Sequence, residues 1–385
     1  MAGLYIHIPF CRSRCIYCGF YSTTQTQQRQ RYIEALTAEM KLRSHEAQEP
    51  ISTVYIGGGT PSQLTTSQLQ QLFEAVDHHF NCLWDEAEVT IECNPDDVTD
   101  ELAATLHRLP VNRVSMGVQT LNDQRLQFLR RRHTAQQVHH AMQRLRHSGI
   151  DNVSVDLMYG FPDETLNEWQ HDLQGILSLG AEHISAYALS YEEGTPLQRM
   201  IVESQSLSSE GTSERSPRSL KPLDEETERS MYYMLVDHLT AAGYQHYEIS
   251  NFARPGFQSR HNRGYWTGAK YIGLGAAAHS YDGTTRRWNV SDLTQYMQHA
   301  ESHQLLTEQE TIDSTTRYNE HVMLSLRTCE GLDLSTLSPT QRTYCERQAR
   351  RFLDSGLLQT DGQRLRLTRQ SLFVSDMVIS ELFIG

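Results

Sequence analysis

Leu4-Tyr5-Ile6-His7-Ile8-Pro9-Phe10-Cys11-Arg12-Ser13-Arg14-Cys15-Ile16-Tyr17-Cys18 is the stretch from which the rest of the chain can be oriented. Its first half is an apolar, β-branched run over residues 4–8 and reads as a buried strand. Its second half puts three thiols in a CxxxCxxC spacing immediately after that strand. Closely spaced thiolates are a metal or cluster site. Four thiolates saturate a metal, whereas three on a [4Fe–4S] cube leave one iron free for an exogenous ligand. A zinc knuckle would want a fourth Cys or His at ligand spacing, and none follows before His45. The run therefore reads as a reactive site with an open coordination position, set at the C-terminal end of the first strand.

Working outward, short β-branched runs alternate with longer helical patterns as far as about residue 189. Strands are expected at residues 4–8, 53–56, 88–92, 113–118, 153–158 and 183–189. Between them apolar residues recur three and four apart. Leu69, Leu72, Phe73, Val76 and Phe80 make one stripe; Leu166, Trp169, Leu173, Ile176 and Leu177 make another. Both read as ordinary core faces. Six β/α units in succession predict a parallel sheet covered by helices, and right-handed crossovers curl it toward a barrel. The predicted fold class is α/β: a partial (β/α)6 TIM-like barrel with a smaller C-terminal helical or winged-helix-like domain. In such sheets chemistry sits at the C-terminal strand ends, which is where the thiols fall.

The domains are expected as a barrel with its cysteine loop over 1–200, then a flexible Ser/Glu-rich insertion over 201–222. A barrel-completing, aromatic- and Gly-rich region follows over 223–310, and a module of helix, helix, hairpin (357–367) and helix over 311–385. A chain of 385 residues is long enough for such a division at ~100–200 residues per domain. The net charge of −13 opposes nonspecific binding to phosphate backbones, so no nucleic-acid partner is expected. The basic run Arg130-Arg131-Arg132-His133 reads as a mixed solvent face with one useful Arg. Of seven Cys, four (Cys82, Cys93, Cys329, Cys345) are scattered, which is not a disulfide framework and implies a reducing compartment. No apolar run approaches the ~18–20 residues of a membrane span, and no charged leader precedes an apolar stretch. A cytoplasmic protein with at most peripheral membrane contact is expected.

Several strand ends carry groups suited to a ligand. Gly57-Gly58-Gly59-Thr60-Pro61 follows the second strand, and successive glycines let backbone amides approach a ligand closely. The third strand ends in Glu92-Cys93-Asn94-Pro95 and the fourth in Met116-Gly117-Val118-Gln119. The fifth carries Asp156 before Tyr159-Gly160-Phe161-Pro162. Each polar residue alone could be a helix cap or a structural partner. Together they suit a zwitterionic ligand with amine, carboxylate and sugar hydroxyls, bound beside the thiols.

The ordered motifs YIHIPFCRSRCIYC, YIGGGTPS, IECNP, VSMGVQT, SVDLMYGFP and YALSYEEGTPL resemble the radical S-adenosylmethionine (SAM) superfamily, in its coproporphyrinogen-oxidase-like branch. The resemblance implies that Cys11, Cys15 and Cys18 hold a [4Fe–4S] cluster whose free iron is chelated by SAM. It implies one-electron cleavage of the sulfonium C–S bond to a 5′-deoxyadenosyl radical, with an electron donor such as flavodoxin or ferredoxin. Carried over by position, Tyr5, Tyr17, Gly58, Gly59, Thr60, Glu92, Gln119, Arg131, Asp156 and Ala188 match SAM contacts of the branch. Arg131 departs from the usual Leu-Gly-Arg-x-His context, since this chain reads Leu129-Arg130-Arg131-Arg132-His133.

Two features separate members of the branch. The oxidases read CxxxCxxCxC, and here Phe20 stands at the last Cys position. His261-Asn262-Arg263-Gly264-Tyr265-Trp266 resembles the HNxxYW signature of the HemW-type haem chaperones, which implies haem binding through His261. Imidazole ligates haem iron and rings line a porphyrin face, although His261 and Trp266 could equally fill the end of the barrel. The function implied is binding of haem and its delivery to an acceptor protein, with cluster and SAM in an activating role. The alternative is oxygen-independent coproporphyrinogen III oxidation, a radical decarboxylation of propionates to vinyls. A radical SAM enzyme acting on tRNA suits neither the acidic charge nor the absence of a basic appendage. The pairs His78-His79 and His139-His140 read as solvated, and His7 as a hydrogen-bonded core residue.

Overall fold

The computed structural model describes residues 2–209 and 220–385. Six parallel strands lie side by side in chain order: β1 (Ala2–Ile8), β2 (Ile51–Gly58), β3 (Glu88–Cys93), β4 (Arg113–Gln119), β5 (Val153–Tyr159) and β6 (His183–Ala188). The expected strands are all there, each within a few residues of its predicted bounds. Helices Arg29–Arg43, Thr66–His79, Asp100–Arg108, Ala135–His147 and Leu166–Ser178 cross back over one face. Thr65, Thr134 and Thr165 close three of these helices with capping boxes, which satisfy backbone donors that a helix start leaves open.

What makes this sheet a site rather than a core is its alternation. Leu4, Ile6 and Ile8 of β1, Val89 and Ile91 of β3, and Val114, Met116 and Val118 of β4 are buried against the helices. Their neighbours of opposite parity, such as Tyr55, Glu92, Arg113, Ser115 and Asp156, line a cavity on the concave face. Side chains alternate faces along a strand, so one polar residue in two gives a polar interior. Closed barrels of this type normally fill that space with branched apolar residues.

The sheet extends past the six units. β7 (Gln245–Glu248) and β8 (Asn251–Ala253) add an antiparallel edge beyond β6. On the other side β9 (Tyr271–Leu274) pairs parallel with β1, followed by antiparallel β10 (His279–Tyr281), β11 (Thr285–Asn289) and β12 (Thr307–Thr311). A buried network ties this flank to helix Arg29–Arg43. Arg43 donates to Glu39, to the Gly273 carbonyl and to Ser280, and Asn289 and Tyr296 donate to Glu39.

Helix Pro196–Ser209 differs from expectation, because it runs into the Ser/Glu-rich stretch from 201 that composition marked as irregular. Thr195 caps it through Gln198, and Leu197 and Ile201, one turn apart, are buried. That apolar pair gives the segment a face to pack. Residues 210–219 of the predicted insertion lie outside the described residues. In the second apolar stripe, Leu166 opens its helix exposed rather than packed.

The C-terminal module follows the predicted order, with one strand added. Helices Ser314–Leu326, Pro339–Asp354 and Ser375–Ser380 surround a small sheet in which β13 (Leu332–Asp333) and β14 (Leu358–Thr360) flank β15 (Arg364–Leu367). Its core, including Tyr318, Val322, Phe352, Leu365 and Ile379, is separate from that of the barrel. No helix among the described residues is long and apolar enough to cross a membrane.

Candidate functional site

A cavity of about 680 Å³ occupies the concave side of β2 to β6 and opens at their C-terminal ends. The cysteine loop forms its rim. Cys11 N donates to Thr23 O at 2.9 Å and Thr23 N to Pro9 O at 2.7 Å, clamping the loop where it leaves β1. Ile16, between the second and third thiols, is buried with Leu129, Phe161, Leu189 and Leu197, so an apolar anchor holds the loop from below. Thr60 Oγ1 donates to Cys11 Sγ at 3.4 Å and Arg131 Nη1 to Cys15 Sγ at 3.7 Å. Burial pushes the Cys11 and Cys18 thiols up. Among the described residues no three Cys, His, Asp or Glu side chains converge on a single-ion centre. The three thiols line the cavity mouth, and a cube would take one thiolate at each of three irons.

The glycines after β2 are shaped by close approach. Gly58 has φ +115°, and a Cβ there would stand 2.5 Å from the His7 ring. At Gly59 a Cβ would stand 2.7 Å from the Pro9 carbonyl carbon, and Gly59 N donates to Ile8 O at 2.8 Å. Glu92 sits beneath them, accepting from Gly58 N at 2.9 Å and from Tyr55 OH at 2.8 Å. Burial pushes its carboxyl up to about 7, and the Tyr55 bond works against that rise. Asp156, two strands away, is pushed by burial up to about 6, opposed chiefly by the Arg113 guanidinium. Gln119 ends β4 at φ +69°, beside a register shift against β5.

The basic run is not a solvent face. Arg131 turns inward to Asn94 Oδ1 and the Gly117 carbonyl, Arg132 pairs with Asp96 and Asp97, and His133 is buried against Val118 O. Only Arg130 of the four is exposed. Acidic residues after β3 draw the run in, a contact that chain order alone does not display.

The structure thus brings Cys11, Cys15, Cys18, Tyr17, Gly58, Gly59, Thr60, Glu92, Gln119, Arg131, Asp156 and Ala188 to one cavity. Tyr5 stands beside it, packed on Tyr55 with ring centroids 6.2 Å apart and bonded to His7 Nδ1. His7 is a satisfied core residue, its Nε2 on Tyr21 O at 3.0 Å.

His261 is placed away from the strand-end cavity, at the other end of the barrel. Helix Arg260–Trp266 plugs the N-terminal end of the barrel, its first amides donating to Glu88 and its Ser259 cap accepting from Asn262 N. His261 is 4% exposed. Its Nδ1 meets Thr53 Oγ1 at 2.8 Å, its Nε2 meets Tyr265 OH at 2.9 Å, and its ring stacks on Tyr55. Burial lowers it to about 3. Both ring nitrogens are hydrogen-bonded in this arrangement, which is the geometry of the barrel-filling alternative. Tyr265 and Trp266 instead border a second cleft of about 550 Å³ against the C-terminal module, with Tyr271, Tyr281, Leu324 and Leu337.

Tyr55, Arg113 and Tyr187 also line the main cavity and were not singled out from sequence, and Asn262 of the HNxxYW motif reaches the same cavity. For Tyr55 and Arg113 the signal was there: each has the parity of a cavity-facing residue on its strand.

Residues 5–175 match the family model of the radical SAM superfamily, and residues 312–374 that of the HemN C-terminal domain. The heme chaperone HemW of Mycobacterium tuberculosis is 34% identical over 386 residues, covering 99% of this chain and 94% of its own length. That of Bacillus subtilis is 32% identical over 406 residues and spans both chains entirely. Coproporphyrinogen III oxidase (HemN) from Escherichia coli superposes with a TM-score of 0.82 over 99% of this chain and 90% of its own, at 22% identity, a likeness of fold. Matched end to end by HemW proteins, and by family models over its barrel and its C-terminal module, this chain belongs to the HemW family of the radical SAM superfamily.

Proposed function

We propose that this protein is a haem chaperone, binding haem and passing it to an acceptor protein while carrying a [4Fe–4S] cluster and SAM. The observation that carries the reading is the end-to-end similarity to HemW proteins. The strand-end cavity supports the cofactor part: three thiols for the cluster, Glu92 and the Gly58–Thr60 loop for the methionine end, Asp156 for ribose hydroxyls, Tyr17 beside the base. When bound, the cluster supplies one electron to the sulfonium C–S bond. The chain's own residues orient and shield: Arg131 crosses from Cys15 to the rim of β4, and Glu92 offers a charge-assisted acceptor. A flavodoxin- or ferredoxin-like donor would dock at the cluster loop, where Phe20 is 71% exposed.

For haem we place the binding face at the aromatic cleft of Tyr265, Trp266, Tyr271 and Tyr281, not at His261. Arg317 at its edge suits a propionate, and the rings suit a porphyrin face. Oxidative decarboxylation of coproporphyrinogen III has the fold in its favour, but Phe20 stands where the oxidases carry a further Cys. The test uses cluster-reconstituted protein under anaerobic conditions. Titration with haem should give a saturable Soret band, and transfer to an apo-haemoprotein should follow. Incubation with coproporphyrinogen III, SAM and a strong reductant should leave all carboxyl groups in place by mass spectrometry. Loss of two carboxyls at a catalytic rate would overturn the reading.

A further inference from the structure

Arg113 is among the largest fully buried side chains of the molecule, 1% exposed, yet its Nε and Nη1 have no hydrogen-bond partner. It stands on β4 between the strands that carry Glu92 and Asp156, and it lines the floor of the same cavity. In register it lies one inward step below the Glu92–Ser115 pair and two below the Gly117–Asp156 pair. Across from it Thr90 Oγ1 is likewise buried and unpartnered. A buried guanidinium without a paired carboxylate costs several kcal/mol in general, and a sheet strand could carry Val or Ile here at no such cost.

We propose that Arg113 is a positioning residue of the cofactor site, its unpaired guanidinium holding the Glu92 and Asp156 carboxylates in the charged form that receives a cationic ligand. The inference rests on the reading that SAM occupies this cavity. SAM brings a sulfonium and an ammonium, and both favour ionised acceptors. A direct salt bridge would consume the carboxylate oxygens. A cation set below them raises their charge without occupying the oxygens, which keep lone pairs for the ligand beyond the bonds they accept from Tyr55, Gly58 and Ser115.

The surroundings leave these two acids as the groups that change charge near neutral pH. The phenols of Tyr5, Tyr55 and Tyr247 are all pushed up by burial and stay neutral. Burial pushes His7, His183 and His261 down, and they stay neutral too. Arg131 is the other cation facing Asp156, and it is committed to Asn94 and the Gly117 carbonyl. Arg113 is the largest influence opposing the effect of burial on Asp156, and it acts in the same sense on Glu92.

The experiment is equilibrium dialysis of labelled SAM against cluster-reconstituted protein from pH 5.5 to 9, with iron content and circular dichroism confirming each variant. In the wild type, affinity should fall as pH drops through about 7. In Arg113→Met the fall should begin at higher pH, leaving affinity at pH 7 on the order of tenfold lower and restored by pH 9. Arg113→Lys should return the midpoint toward wild type; Arg113→Gln should behave as Met and serves if Met does not fold. An unchanged midpoint in Met and Gln, or a loss equal at every pH, overturns the proposal. Glu92→Gln separates the two readings: wild-type SAM affinity in that variant would refute SAM at this cavity, whatever Arg113 does.

Discussion

Gly59 and Cys15 show two ways in which a single residue commits this chain. At Gly59 the backbone passes so near Pro9 that a side chain must push β1 and β2 apart. Gly59→Ala is expected to cost about 1–3 kcal/mol in urea unfolding and to weaken SAM binding with the cluster still present. Cys15→Ala is expected to lose the brown chromophore, measured as iron and sulfide per chain. Cys329→Ser, at an exposed thiol of the C-terminal module, should keep both. Retention of full iron and sulfide in Cys15→Ala would sink the cluster assignment. Glu92 carries a stability consequence with a definite sign. Its folded value lies above its unfolded one, so its contribution is present at low pH and lost as pH rises through about 7. Before ligand binds, Glu92→Gln should therefore be more stable than wild type at pH 8, by about 1–2 kcal/mol, and no more stable at pH 5. Thermal melts of cluster-free protein at the two pH values read this directly.

At the scale of elements, helix Arg260–Trp266 decides where the barrel ends. Its N-terminal amides are taken by Glu88, and His261 fills the space under Tyr55. Truncating that imidazole removes packing and two hydrogen bonds, so His261→Ala should cost about 2–3 kcal/mol. The haem absorption spectrum, a readout of iron ligation, should be unchanged. A shifted Soret maximum would return His261 to the haem site. Trp266→Ala, on the other side of the same helix, should weaken haem binding while cluster content stays intact. The HNxxYW spacing was readable in the sequence. Which of its side chains face inward was not, because that depends on the helix lying across the strand bottoms.

For the whole molecule, two cores meet along a seam where Leu372 packs against both. Glu248, 1% exposed at its side chain, accepts from Asn251 and Ser250 on the barrel edge and pairs with Arg327 of the module. Arg263 with Glu330 and Tyr233 with the Arg369 carbonyl add to the seam. Glu248→Ala should strand Arg327 and open that seam, costing about 3–5 kcal/mol. Calorimetry should then separate unfolding of the module from that of the barrel. A single transition at the wild-type temperature would show that Glu248 does not hold the seam. The aromatic cleft has one wall on each unit, so haem affinity should fall with the same substitution.

The strands, their order and the rim are legible in the residues alone. Alternating polarity and β/α spacing are local patterns, and three thiols after a first strand can only fall at its C-terminal end. The sequence also held the motifs by which the family is recognised. The tertiary structure decided everything that depends on which strands become neighbours. It turned Arg131 and His133 inward, put Arg113 beneath two carboxylates from flanking strands, and spent both nitrogens of His261 on Thr53 and Tyr265. Apart from the Tyr265 contact, which spans one helical turn, those outcomes come from groups meeting across 14 to 208 residues of chain. Periodicity carries no information at that separation, and only packing brings such groups within hydrogen-bonding distance.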